Sequence, residues 1–236
     1  MRLLSIPAKP GERRALGFAF GYFFFVLACY YVLRPVRDEM GVRSGIRNLP
    51  WLFTATFFVT LAIAPIFAAV VARWQRKTFI PIVYGFLILD ILAFWALLTL
   101  DIAAAATAMV FFVWLSVFNV FAVSVFWSFM ADVFSSEQAK RLYPTIAAGG
   151  SLGGFAGSAT VTGLAQLIGP ANLLAAAAAL LALALACAMS LEKSAADVET
   201  PMHAAQATRA AQDERRLGGG FLAGLTLLAR SPYLAG

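Results

Sequence analysis

The chain has 236 residues, 61% of them hydrophobic and 13% charged, with a formal net charge of +6. An ordinary soluble domain is nearer half apolar and a quarter charged, so the composition excludes that class. It leaves an all-α, polytopic membrane protein built from apolar stretches of about 20 residues. The excess of Lys and Arg does not argue for nucleic acid, because these residues fall between the apolar stretches, where topology signals lie.

In chain order, residues 1–14 form a basic tail (Arg2, Lys9, Arg13, Arg14), followed by a first apolar segment at 15–33. Its length, the lack of a small-x-small cleavage site and the spans that follow predict an uncleaved helix rather than a signal peptide. A polar connection covers 34–48. A second span is expected at 50–72, with a kink at Pro65, and a short basic turn (Arg73, Arg76, Lys77) leads to a third at 79–100. Asp101 marks a tight turn into a fourth segment, 102–133, which is longer than one perpendicular crossing needs. The fifth span is expected at 142–168, a turn at Gly169-Pro170 follows, and the sixth, 171–191, is nearly all Ala and Leu. The expectation is a six-helix transmembrane bundle over 15–191. Residues 192–231 are polar and read as a cytoplasmic linker. Residues 232–236 read as the start of a seventh span cut short, so the chain is expected to be half of a longer protein.

Counting Lys and Arg on alternate sides gives fourteen against four, which predicts that both ends lie in the cytoplasm, in an inner membrane of bacterial type. The four on the minority side, Arg34, Arg37, Arg43 and Arg47, all follow the first span. Two readings stay open for them. They are loop charges, or Arg34, Arg37 and Asp38 extend the first helix toward a water-filled cavity, Arg34 pairing with Asp38 while Arg37 meets an anion. Pro35 weighs against that continuation, although membrane helices tolerate proline where neighbours satisfy the freed carbonyl.

The densest pattern is FWSFMADVFSSEQAKRLYPTIAAGGSLGGFAGS, residues 126–158. Ser135 or Ser136 can cap a new helix, with Glu137 or Gln138 in its first turn. Gly149, Gly153 and Gly157 then recur every fourth residue, a strip along which a second backbone can approach closely, and they are expected to serve helix packing. Glu137 and Arg141 stand at i,i+4 spacing. Asp90 lies mid-span, where a carboxylate is a functional candidate; a structural, protonated role and proton coupling both remain open for it. Asn119 in the fourth span needs a polar partner, either a neighbouring helix or a solute. Cys29 and Cys187 lie in apolar segments, and the single histidine, His203, lies in the linker. No Gly-x-x-x-x-Gly-Lys-Ser/Thr loop, Ser/His/Asp set or metal-ligand cluster occurs. Neither an enzyme nor a cofactor is therefore expected.

YYVLRPVRDEMGV at the end of the first span, FWSFMADVFSSEQAKRLYP and the glycine-rich helix after it together resemble the non-mitochondrial ATP/ADP translocases, distant relatives of the major facilitator superfamily. The resemblance covers roughly residues 15–190. It implies two six-helix bundles that exchange nucleotides by alternating access, this chain supplying the first and a second bundle being its partner. It also implies a role for the basic-x-x-basic-Asp arrangement, here Arg34, Arg37 and Asp38. Arg37 stands where the family usually has lysine, Asp132 where it commonly has asparagine, and Ser116 and Asn119 occupy a region that usually holds an acid. The candidate substrate-binding residues are thus Arg34, Arg37, Asp38, Asn119 and Trp127, and the candidate coupling residues Asp90 and Asp132. The expected function is a secondary antiporter of nucleotides or a related organic anion, embedded in a lipid bilayer. The alternatives are a proton-coupled carrier of an unrelated solute and a non-transporting membrane module.

Overall fold

The computed structural model describes residues 12–73 and 76–196. Five α-helices follow one another: α1 (Arg13–Arg43), α2 (Leu49–Arg73), α3 (Arg76–Thr99), α4 (Ala104–Val133) and α5 (Ser136–Ala196). No strand occurs among the described residues. The all-α expectation therefore stands at that level. The readings of 1–11 and of the linker and tail beyond 196 lie outside the described residues.

The helix boundaries follow from local chemistry. α1 does not stop at Leu33 but runs ten residues further, with Pro35 inside it. The connection expected at 34–48 is thus mostly helix. It ends where Gly45 adopts a φ of 105°, a conformation open to glycine, and where the Ser44 hydroxyl donates to the Gly41 carbonyl at 2.7 Å. The turn between α3 and α4 places Asp101 and Ala103 at φ of 53° and 47°. Before α5, Ser135 and Gln138 cap each other. The Ser135 N–H donates to Gln138 Oε1 at 3.0 Å and the Gln138 N–H to Ser135 Oγ at 3.4 Å. These reciprocal bonds satisfy donors that the first helical turn leaves unpaired.

Packing gives each helix a direction. Tyr22 of α1 meets Phe126 of α4 at a ring separation of 4.9 Å, whereas Arg37 at the far end of α1 reaches Ser116. α1 and α4 are therefore antiparallel. On α3, Tyr84 donates to the Ala122 carbonyl and Phe94 packs on Phe111, so α3 opposes α4 and runs with α1. The core between them is apolar and aromatic, with Tyr22, Tyr84, Phe111, Phe118, Phe126 and Leu33 fully buried. One polar chain crosses it. The Tyr22 hydroxyl donates to that of Tyr84 at 2.7 Å, and Tyr84 passes the bond to Ala122 at 3.3 Å.

Glycine decides how α5 meets α1. A Cβ at Gly149 would come within 2.8 Å of the Phe20 carbonyl oxygen; one at Gly153 would overlap the Phe24 carbonyl, and one at Gly157 that of Ala28. Both helices advance four residues per contact in the same sense, so this part of α5 lies parallel to α1 with backbones touching. Glu12 and Arg141, separated by the same 129 residues as Phe20 and Gly149, extend that register to the start of both helices, where Arg141 Nη2 lies 3.1 Å from Glu12 Oε1. Gln138 Nε2 adds a bond to the same oxygen at 3.1 Å. The ion pair that Arg141 makes here thus joins two helices, whereas the sequence spacing suggested a partner within its own helix, Glu137.

Among the described residues six separate α-helices are not found; the count is five. The expected fifth and sixth are one 61-residue element, interrupted at Gly169 by a non-helical φ of 77° and ψ of 162°. The reason is that the turn uses a single non-helical residue. Pro170 follows with a fixed φ suited to starting a helical stretch, and Asn172 Nδ2 donates to the Ile168 carbonyl at 2.7 Å. Past Gly169 the direction reverses. Trp95 Nε1, toward the end of α3, donates to Asn172 at 3.2 Å, while Cys187 lies beside Gly21, near the start of α1.

Candidate functional site

The ionisable groups near the end of α1 separate by burial. Arg43 is exposed and paired with Glu39 one turn away at 2.6 Å, and Arg47 is exposed. Arg34 is exposed, with its guanidinium 5.8 Å from the Tyr31 ring centre. Arg37 differs from all three. Its side chain is only 14% exposed, and its guanidinium lies 5.0 Å from the centre of the Phe112 ring on α4. Nη1 donates to Ser116 Oγ at 3.3 Å, while Nε and Nη2 both donate to Asp38 Oδ1, at 2.9 and 2.6 Å. Ser116 donates its own proton to the Phe112 carbonyl, which leaves its lone pairs for the arginine.

The helical continuation through Pro35 produces this geometry. It carries Arg37 along α1 to the level of Phe112 and Ser116, which stand at i,i+4 on one face of α4. A guanidinium is planar and weakly hydrated, so it can lie against an aromatic ring with its fork of donors at the edge. Asn119 is half buried one turn further along α4 and has no hydrogen-bond partner among the described residues. Arg37, Asp38 and Ser116 thus form one polar cluster at the seam of α1 and α4, and Asn119 lies about one turn beyond it on α4.

The other candidates lie elsewhere. Trp127 packs against Phe23, Phe126 and Tyr143 at ring separations of 5.1–5.4 Å. On α4 it lies ~17 Å from Ser116 at 1.5 Å per residue, so it does not share a site with Arg37. Asp132 is exposed in the last turn of α4. Asp90 is half buried on α3, and its Oδ2 accepts the Trp114 indole N–H at 3.1 Å. Gly149, Gly153 and Gly157 are buried against α1, away from the polar cluster. The sequence reading missed Phe112, since one phenylalanine among twenty-one carries no mark of its partner. It also missed the Tyr22–Tyr84 bond, which joins residues 62 apart.

Four stretches among the described residues are long and apolar enough to cross a bilayer: Arg13–Arg43, Phe79–Thr99, Ala104–Val133 and Ser136–Ser194. With an all-helical fold and ionisable side chains gathered near the helix ends, Asp90 apart, they define an integral, multi-pass membrane protein. No protein-family profile, no curated protein and no solved structure matches the chain.

Proposed function

We propose that this chain forms a six-crossing bundle of a secondary transporter, and that it exchanges organic anions of the nucleotide type by alternating access with a second bundle. The observation that carries the reading is Arg37, a nearly buried cation at a helix seam with an aromatic ring behind it and polar groups on either side. A cation in such a place interacts more strongly with an anion than one in open water, because the surrounding dielectric is lower. Its fork can also bind phosphate or carboxylate oxygens in pairs. The reversal of α5 at Gly169 supports a count of six crossings, with the Glu12 end cytoplasmic as the charge asymmetry implies.

The test uses the full-length protein in liposomes loaded with ADP, measuring uptake of labelled ATP. Arg37→Ala is expected to reduce exchange at least about tenfold, the loss of a charged hydrogen bond worth roughly 1.5–3 kcal/mol. Arg37→Lys restores part of it, because the charge returns without the fork. Exchange unaffected by Arg37→Ala rules the reading out.

A second reading, a proton-coupled carrier of another solute, rests on Asp90. Its carboxyl lies mid-helix with a neutral indole as the hydrogen-bond partner observed among the described residues. Uptake driven by a proton gradient and lost in Asp90→Asn, but indifferent to Arg37→Ala, favours that reading over the first.

A further inference from the structure

Arg37 is the nearly buried cation of the polar cluster, yet three of its five N–H donors are already engaged. Asp38 is 53% exposed at its side chain, so its carboxylate does not need this partner to escape an apolar setting. It nonetheless takes both Nε and Nη2 on a single oxygen, Oδ1. An incoming oxyanion that uses the same edge of the fork must displace it. A displaced carboxylate left beside a bound phosphate would repel it, so the site needs somewhere for Asp38 to go.

The same helix provides the place. Arg34 precedes Asp38 by four residues, and in an α-helix side chains at i and i+4 are neighbours on one face. Arg34 is exposed, with the Tyr31 ring as its observed contact, so its charge is available. Arg43, the other nearby cation on α1, is held by Glu39. Asp38 therefore has two alternative cations, one nearly buried and one exposed, reachable by rotation of its own side chain.

We propose that Asp38 is a carboxylate switch: it occupies Arg37 when the site is empty and moves to Arg34 when a phosphate- or carboxylate-bearing solute takes Arg37. This rests on the reading of Arg37 as an anion site and adds how that site discriminates. Asp38 places both bonds on one oxygen, so a solute that offers one oxygen to each N–H improves on what it displaces, and polyatomic oxyanions are favoured over monatomic anions such as chloride. The carboxylate also keeps Arg37 neutralised while the site is empty, which avoids leaving a desolvated charge without a partner.

Dissociation constants for ADP, citrate and chloride are to be measured by calorimetry on the full-length protein in nanodiscs. The variants are Arg37→Ala, Asp38→Asn, Arg34→Gln and the Arg34→Gln/Asp38→Asn pair, with Asp38→Ser in reserve if Asp38→Asn does not fold. Removing the competitor is expected to tighten ADP or citrate about fivefold, the upper range for a half-exposed ion pair. Removing its alternative partner weakens binding by a similar factor. In the Asp38→Asn background Arg34→Gln has no further effect, because no carboxylate remains to be received. Such non-additivity marks residues that act through one another. Weaker or unchanged binding in Asp38→Asn, with Arg37→Ala still abolishing it, overturns the switch and leaves the anion site standing. Weakening by Arg34→Gln in both backgrounds makes Arg34 a direct ligand and also overturns the switch. Binding that survives Arg37→Ala, or a wild type that binds neither ADP nor citrate, removes the anion site and the switch together.

Discussion

Arg37 and Arg43 are separated by less than two helical turns, yet one is nearly buried against an aromatic ring and the other lies in solvent beside Glu39. Charge count treats them alike; environment does not. Arg43→Ala and Arg47→Ala are therefore expected to leave anion exchange within about fivefold of wild type, since an exposed charge contributes ~0–1 kcal/mol. Equal losses at residues 37, 43 and 47 would reduce the cluster to general surface charge. The tyrosine chain allows a second residue-scale prediction, in which order decides the cost. Tyr84 accepts from Tyr22 and donates to Ala122, so Tyr84→Phe strands the buried Tyr22 hydroxyl, at a cost of about 1–3 kcal/mol. Tyr22→Phe removes only the end donor and costs about 1 kcal/mol. Thermal unfolding in detergent should rank Tyr84→Phe below Tyr22→Phe; the reverse order means that the hydroxyls bond differently.

At the scale of the element, the α1–α5 pair is held by contact between backbones rather than by large side chains. Lipid chains are as apolar as leucine, so helix association in a bilayer depends on van der Waals packing, which small residues make close. Gly153→Leu is expected to force the helices apart and to cost about 1–3 kcal/mol, as overpacking of a filled interface does. Gly163 provides the control within the same helix. A Cβ there meets nothing within 4 Å, so Gly163→Leu should melt with the wild type. Equal behaviour of the two variants, measured as loss of monodisperse protein on heating, would dispose of the packing argument. The Glu12–Arg141 pair occupies the same register and ties the entry of α5 to that of α1, with Gln138 serving both the cap and the clasp.

For the whole molecule, the helix directions make a topology that can be mapped. Asn48, Asp101 and Gln166 belong to the Arg43 end of α1, and Ser136 and Lys193 to the Glu12 end. In a background lacking Cys29 and Cys187, cysteines at the first three positions should react with an impermeant maleimide on intact cells. Those at 136 and 193 should react only after permeabilisation. Labelling of the 193 variant from the same side as the 166 variant contradicts the reversal at Gly169. External labelling at 136 and 193 together, with 48, 101 and 166 protected, inverts the proposed orientation.

Class and much of the local structure were legible in the chain itself, because they depend on short-range chemistry. Apolar length, the Ser135–Gln138 cap and the glycine spacing each act within a few residues, and the cap and the strip appear where their spacing predicts. Two local signals were ambiguous. Pro35 left a loop and a helical continuation both open, and the continuation is what forms, since a helix packed along its length against α4 tolerates a proline that an isolated one would not. Gly169-Pro170 marked a turn, but the helical runs on either side meet so closely that five helices are counted in place of six. What the tertiary structure alone decided is partnership. Which of four arginines is nearly buried, that Arg37 takes Asp38 rather than leaving it to Arg34, and that Arg141 reaches Glu12 all depend on distant segments brought side by side. Residue type and spacing set what a side chain is able to bond. The packing of α1 against α4 and α5 selects which of those bonds form, because desolvation at the helix seams makes each unpartnered charge costly.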